Sequence, residues 1–451
     1  MIPHAPAQKS ARADLPPPPF AASPTRAEIA ATSALAAPMV LTNLAQIGMS
    51  TTDAVVMGWL GPNALAAGTL GLNLFLPLLI FAIGVMSAIA PMIAADLGRK
   101  TRSVHQARRT ARQGFWLTAI LSLLFLPILW FSEPILLALG QEPALAADAA
   151  LYLRAMMWSL PPQILYLALR SFVGALERPG AALVTVGSAF VVNAVLNVGL
   201  VFGRFGLPAL GLPGSGVATS IASFFMALGL ALLILRERRL RRFHVFGRIW
   251  RADPARLVEL SRVGAPIGAT MLLEAGVFNA AVFVMGRIGA DALAAHAVAI
   301  QIASVTFMVA AGVGQAASVR VGRFFGAGDG PGQRRAGKVA LGLGVGFMAA
   351  AALVIALAPR ALAALFLDPS SPQNAAALDL AATFLVVAAM FQVFDGAQAV
   401  GAGMLRGMQD TRAPMLIALF GYWVIGFPLA LALAFPLGWG GLGVWTGLAI
   451  G

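Results

Sequence analysis

The sequence predicts an all-α polytopic membrane protein with twelve transmembrane helices, arranged as two parallel six-helix lobes related by a pseudo-twofold axis. Three observations predict it: long uncharged apolar stretches, a one-sided distribution of basic residues, and an internal repeat at an offset of 228 residues. Of the 451 residues, 59% are hydrophobic and 11% charged, against about a quarter charged in a soluble domain. A spanning helix needs roughly 20 apolar residues, and the run TLGLNLFLPLLIFAIGVMSAIAPMIAA over 69–95 has no charged side chain. A soluble protein lacks the polar surface to cover so many such helices. A closed barrel would instead show ten-residue segments of alternating polarity with aromatic girdles, and the continuous Leu-, Ala-, Phe- and Met-rich runs with three Tyr do not.

Taken in order, the predicted spans lie near 34–58, 65–96, 113–132, 149–171, 181–203 and 214–236, then 263–286, 292–319, 338–358, 377–404 and 413–435. The twelfth starts near Gly440 and has twelve residues to Gly451. That covers roughly 18 Å of a ~30 Å hydrocarbon core, so it reads as a short or truncated span. Residues 1–27, with PPPP at Pro16–Pro19, read as a flexible arm with no cleavable signal. The domain reading is an N-lobe over 28–236, a basic cytoplasmic linker over 237–261 and a C-lobe over 262–451.

Basic residues set the orientation. With both ends of the bundle in the cytoplasm, that side holds 27 of the 31 Lys and Arg, and the other only Arg154, Arg204, Arg287 and Arg360. Such a bias is the positive-inside pattern. It accounts for the net charge of +13 as membrane topology with attraction to anionic lipid heads, and no nucleic-acid partner is expected. The absence of Cys excludes thiolate chemistry and disulfides, and His4, His105, His244 and His296 are scattered without zinc-ligand spacing. No metal-dependent or other enzyme is indicated. ATP-driven transport lacks a Gly-x-x-x-x-Gly-Lys-Ser/Thr loop.

The repeat is visible without gaps. Pro38 falls on Pro266, Gly48 on Gly276, Met57–Gly58 on Met285–Gly286, Gly61 on Gly289 and Ala64–Ala67 on Ala292–Ala295. Gly84 meets Gly312, Gly98 meets Gly326, and GSGV at Gly214 resembles GLGV at Gly441. The offset spans six helices, an even number, so the two halves enter the membrane the same way, a common transporter arrangement.

Three carboxylates sit well inside predicted spans: Asp53, Glu274 and Asp395. A charge in hydrocarbon is costly unless paired, protonated or wet. The sequence places no Lys or Arg at comparable depth, so these groups are expected to face the interior and to take a proton or a cation such as Na⁺. Asp53 after Ser50–Thr52 could instead cap or bend its helix, and Asp395 before Gly396 could mark a break. Asn193 and Asn197 share a helix face. Gln46, seven before Asp53, occupies the repeat position of Glu274. Asn279, Gln392, Gln398, Gln301 and Gln315 complete the polar set, though each could simply join helices. Pro77, Pro91, Pro266 and Pro428 can interrupt spans.

With these residues in place, the chain resembles the multidrug and toxic compound extrusion (MATE) family, in its NorM-like branch, from about Ala30 to Gly451. The first span, PMVLTNLAQIGMSTTDAVVMGWLG, has the family's Pro…Gln…Asp…Gly pattern, the seventh reads GAPIGATMLLEAGVF, and the tenth reads FQVFDGAQAVGAGMLRGMQDTRAPM. GALERPGAA at Gly174 is a looser first-half version of that last motif. The resemblance implies export of organic, often cationic or amphipathic compounds by antiport against Na⁺ or H⁺, through alternating access of a cavity between the lobes. It assigns Asp53 to proton or drug coupling, Asn193 and Asn197 to its surroundings, and Glu274 and Asp395 to cation binding, as the Na⁺ ligands if sodium is the ion. The Gly407–Pro414 turn is expected to be structural. Phe75, Phe278, Phe307, Phe391 and Phe394 are candidate cavity contacts, with lipid-facing or core packing as the alternative for each. A monomer in a bacterial inner membrane is expected, with small organic substrates and lipids as partners. The nearest alternative, a flippase for a lipid-linked precursor, would want several basic residues in the cavity. A membrane enzyme would want a clustered interfacial site, and a structural or receptor protein would not need the repeat or the buried acids.

Overall fold

The computed structural model describes residues 23–99 and 103–451, so the predicted arm lies outside it up to residue 22. The described residues are helical throughout, joined by turns. The first helix, α1 (Pro24–Trp59), starts earlier than the arm's predicted end because Ser23 accepts the N–H of Arg26 and Pro24 occupies the first turn. Next come α2 (Pro62–Ser87) and α3 (Ile89–Gly98), which form one span broken at Ala88. Pro91 removes the N–H that would bond the Ser87 carbonyl, which explains the break. The third span is α4 (Ser103–Trp130), followed by the short α5 (Ser132–Ala138).

The fourth span is interrupted. Helix α6 (Pro143–Met156) passes through a 3₁₀ turn at Met157–Ser159 into α7 (Leu160–Ala175). Pro161 and Pro162 cannot donate to the carbonyls of Met157 and Trp158, and the chain tightens there. Then follow α8 (Gly180–Phe202), α9 (Leu212–Arg236) and the single turn α10 (Arg238–Arg241). Helix α11 (Pro254–Ile288) starts nine residues before the predicted 263, within the basic stretch, where Asp253 caps it by accepting from the Arg256 N–H. After it come α12 (Ala290–Ala327), α13 (Gly330–Leu357), α14 (Pro359–Ala363) and α15 (Ala375–Gly407). The eleventh span is α16 (Arg412–Ala418), a π-helical stretch over Leu419–Gly426 and α17 (Phe427–Ala434). Pro428 leaves the Val424 carbonyl inside that stretch without its α-helical donor. The last element is α18 (Gly440–Ile450).

Ten of these segments are long and apolar enough to cross a membrane. The interrupted fourth span and the short α18 bring the tally to the predicted twelve only if both are counted. Among the described residues two large apolar cores stand apart. One runs from Met49 to Ile267 and the other from Ala281 to Trp445. A third, smaller cluster joins Leu35, Ala36, Met39 and Ala94 to Val313, Ala316, Ala317 and Val400.

That third cluster belongs to a seam at the end where α1 begins. A Cβ on Gly84 would lie 2.5 Å from the Gly268 Cα, and one on Gly312 would lie 3.0 Å from the Val40 nitrogen. No side chain fits between such backbones. Farther along, Gly98 abuts the Arg323 carbonyl and Gly326 abuts the Ala95 carbonyl.

Two buried ion pairs close the same end. Arg320 donates to both oxygens of Glu28 at 2.8 and 2.6 Å and to Glu177 at 2.8 Å. Arg256 donates to Asp96 and to the Thr110 hydroxyl. In both, the earlier part of the chain supplies the carboxylate and the later part the arginine. Removing one member of a buried pair costs about 3–5 kcal/mol, because the partner is left as an uncompensated charge.

Candidate functional site

Asp53 does not cap its own helix. The hydroxyls of Ser50, Thr51 and Thr52 bond back to the carbonyls of Gln46, Ile47 and Gly48 at 3.4, 3.0 and 2.9 Å, a local habit of these residues in helices. The carboxylate is thereby left to face α8 and α9. There it is buried, and three side chains donate to it. Asn193 and Asn197 give their amide N–H groups to Oδ1 at 3.2 and 2.7 Å. Thr219 gives its hydroxyl to Oδ2 at 2.9 Å. Thr219 was not anticipated from the sequence. Its signal is the spacing of Ser215, Thr219 and Ser223, a polar stripe along one face of the mostly apolar α9. The amide oxygens of Asn193 and Asn197 and the Tyr152 hydroxyl are buried without partners. Tyr152 is within electrostatic reach of Asp53. Buried polar groups are nearly always satisfied, so these orphans mark a place for a proton carrier, a water or a small cation.

Glu274 on α11 and Asp395 on α15 form a second site of a different kind. They are close enough to repel each other. Both are half-buried, and among the described residues neither carboxylate accepts a hydrogen bond. Tyr422, on the π-helical stretch, is within electrostatic reach of both and donates to Gln398 at 2.9 Å. The neighbouring Trp423 donates its indole N–H to the Leu273 carbonyl at 3.0 Å, pinning that stretch beside Glu274. π-Helical turns often occur at functional sites. Two carboxylates, a phenol and amides form an oxygen-rich set suited to a hard cation. Among the described residues no group of three or more His, Cys, Asp or Glu side chains converges as a transition metal would need.

Among the described residues no Lys or Arg forms an ion pair with Asp53, Glu274 or Asp395, although two arginines lie among the polar groups of the spans. Arg406 is within electrostatic reach of Glu274. Arg170, half-buried on α7, donates to Gln46 at 3.0 Å, Asn43 at 2.5 Å and Gln315 at 2.8 Å. Gln46 therefore serves Arg170 and does not bond Asp53. Asn279 is exposed and bonds the Ala275 carbonyl of its own helix. Gln392 is buried and bonds Thr306.

The aromatic candidates separate as well. Phe75 is fully buried in the first apolar core. Phe391 packs against Trp445 with ring centroids 6.1 Å apart. Phe278 and Phe307 are half-buried. Phe394 is exposed, one residue from Asp395.

With this geometry in hand, comparison with known proteins is informative. The MatE family model matches residues 38–199 and 266–432. The chain is 52% identical over 426 residues to a probable multidrug resistance protein NorM of Mesorhizobium japonicum, covering 94% of this chain and 91% of that protein. It is 49% identical over 414 residues to a probable NorM of Brucella suis, covering 92% and 88%. Its fold matches a solved outward-facing multidrug resistance MATE family transporter of the MOP superfamily with a TM-score of 0.83 at 19% identity, over 94% of this chain and 92% of that one.

Proposed function

The chain belongs to the MATE family, and from that premise we propose that it exports drug-like organic compounds, often cationic or amphipathic, by antiport against Na⁺ or H⁺. It is a multi-pass membrane transporter and not an enzyme. The observation that carries the ion-coupled reading is Asp53, a buried carboxylate in a spanning helix held by three side-chain donors from two other helices. A cation arriving there meets a preorganised site. A charge change there alters bonds that join α1 to α8 and α9.

Two lobes, 28–236 and 262–451, joined by the 237–261 linker, alternate access to a cavity between them. The seam contacts support a pseudo-twofold relation. Gly84 meets residue 268, while Gly312, its mate at the 228-residue offset, meets residue 40, the mate of 268. Likewise Gly98 meets residue 323 and Gly326 meets residue 95. Contacts that exchange partners in this way are the mark of a twofold axis. The positive-inside bias supports a cytoplasmic seam end in a bacterial inner membrane, and on that reading this conformation is closed inward. The cavity loads a compound when the seam opens and releases it outward when the seam closes. Ion and compound favour different states, which couples their movements.

Arg170 and Arg406 do not favour the flippase alternative, because one is occupied by amide oxygens and the other neighbours Glu274. The test is ethidium efflux from proteoliposomes with an imposed Na⁺ or pH gradient. Either gradient, or both, should drive efflux against the ethidium gradient. If neither does, secondary antiport is wrong.

A further inference from the structure

Arginines drawn into a helical bundle are usually paired with a carboxylate. Arg170, half-buried on α7, is bonded instead by three neutral amide oxygens on two other helices. Its Nη1 donates to Gln46, and its Nη2 donates to both Asn43 and Gln315. Asn43 and Gln46 are on α1, whereas Gln315 is on α12, across the seam. One nitrogen therefore bridges the two sides.

We propose that Arg170 is a positioning residue of the transport cycle, which links the state of α1 around Asp53 to closure of the cytoplasmic seam. The proposal rests on the alternating-access reading above. Gln46 is seven residues before Asp53, about two helical turns along the same face. A bend or rotation of α1 at Asp53 is transmitted to Gln46 and Asn43, and through them to the guanidinium that holds Gln315. The chemistry suits a bond made and broken in every cycle. Opening the seam costs Arg170 one neutral acceptor, which entering water can replace, and strands no buried carboxylate. The pairs of Arg320 with Glu28 and of Arg256 with Asp96 lack that ease.

The link is built on one side only. At the 228-residue offset, Gln46 corresponds to Glu274 and Arg170 to Gln398. The second half thus places an anion and an amide where the first places an amide and a cation. Tyr422, not an arginine, is the donor that occupies Gln398.

The cysteine-free chain makes the test direct. Ala317, buried in the seam cluster, is replaced by Cys, and maleimide labelling is measured in proteoliposomes at acid and alkaline pH, with and without ethidium. With Arg170 intact, labelling should change with pH; a parent that responds to ethidium but not to pH overturns the proposal, because the state of Asp53 then does not set the seam. In Arg170→Gln and in Gln315→Leu, basal labelling should rise, on the order of tenfold for one lost charge-assisted bond, and its pH dependence should collapse. Arg170→Lys should restore part of both, since an ammonium can reach the same oxygens. A full pH response in both Arg170→Gln and Gln315→Leu overturns the proposal. If Arg170→Gln does not fold, Gln315→Leu decides alone, because it removes only the acceptor across the seam. A parent Ala317→Cys protein whose labelling never responds to pH or ethidium refutes the alternating-access reading instead.

Discussion

Asp53 and the Glu274–Asp395 pair are both intramembrane carboxylate sites, yet the protein treats them in opposite ways. Asp53 is sealed, single and held by three donors from α8 and α9. Glu274 and Asp395 are half-buried, close enough to repel each other, and undonated among the described residues. A sealed site with fixed donors turns a change of charge into a change of packing, because those donors must find new partners. Two like charges with no donors gain most from a cation that relieves their repulsion. On the proposed function, the first site would move helices and the second would capture an ion.

The sharpest way to break this contrast is Asp53→Asn. It keeps shape and removes the charge the donors are organised around. Gradient-driven ethidium efflux should fall on the order of 100-fold, the upper range of coupling free energies, while ethidium binding in detergent survives. Efflux that persists under both Na⁺ and pH gradients would move coupling away from Asp53 altogether.

A smaller effect is expected at the Glu274–Asp395 site. Glu274→Gln and Asp395→Asn should each reduce efflux about tenfold, and the double variant should be little worse than either single one, because two groups that share one ion are not additive. Simple additivity would mean that the pair acts as two independent sites. Efflux under an imposed Na⁺ gradient, compared across the four proteins, decides.

How much of this could be read from the sequence follows from what each feature depends on. Spans are set by composition, so 69–95 and 338–358 are legible as runs of apolar residues. Asp53, Asn193 and Asn197 are legible because polar groups at helical spacing stand out in such runs. Arg170 is not, since its helix, interrupted at Met157–Ser159, runs on to Ala175 and draws inward a residue that reads as a span end. Tyr422 and Trp423 owe their position to a π-helical stretch, which depends on a lost backbone bond rather than on side-chain pattern. Phe75 shows the same limit from the other side. An aromatic in an apolar span gives no sequence sign of whether it lines a cavity or fills the core.

The smallest effects test the contrast most finely, by deleting one hydroxyl from each site. Thr219→Val removes the donor to Asp53 Oδ2 and leaves an equally bulky methyl in a dry space. The lost charge-assisted bond should cost about 2 kcal/mol, read as a lowered melting midpoint in detergent, with efflux reduced several-fold. Tyr422→Phe removes the donor to Gln398, but Gln398 is exposed and water can take the place of the phenol. Its cost should stay within about 0.5 kcal/mol, with only a modest change in ion dependence. If instead the two deletions lower the midpoint equally, the Glu274–Asp395 site is as tightly organised as Asp53. The division between a site that moves helices and one that captures an ion would then be lost.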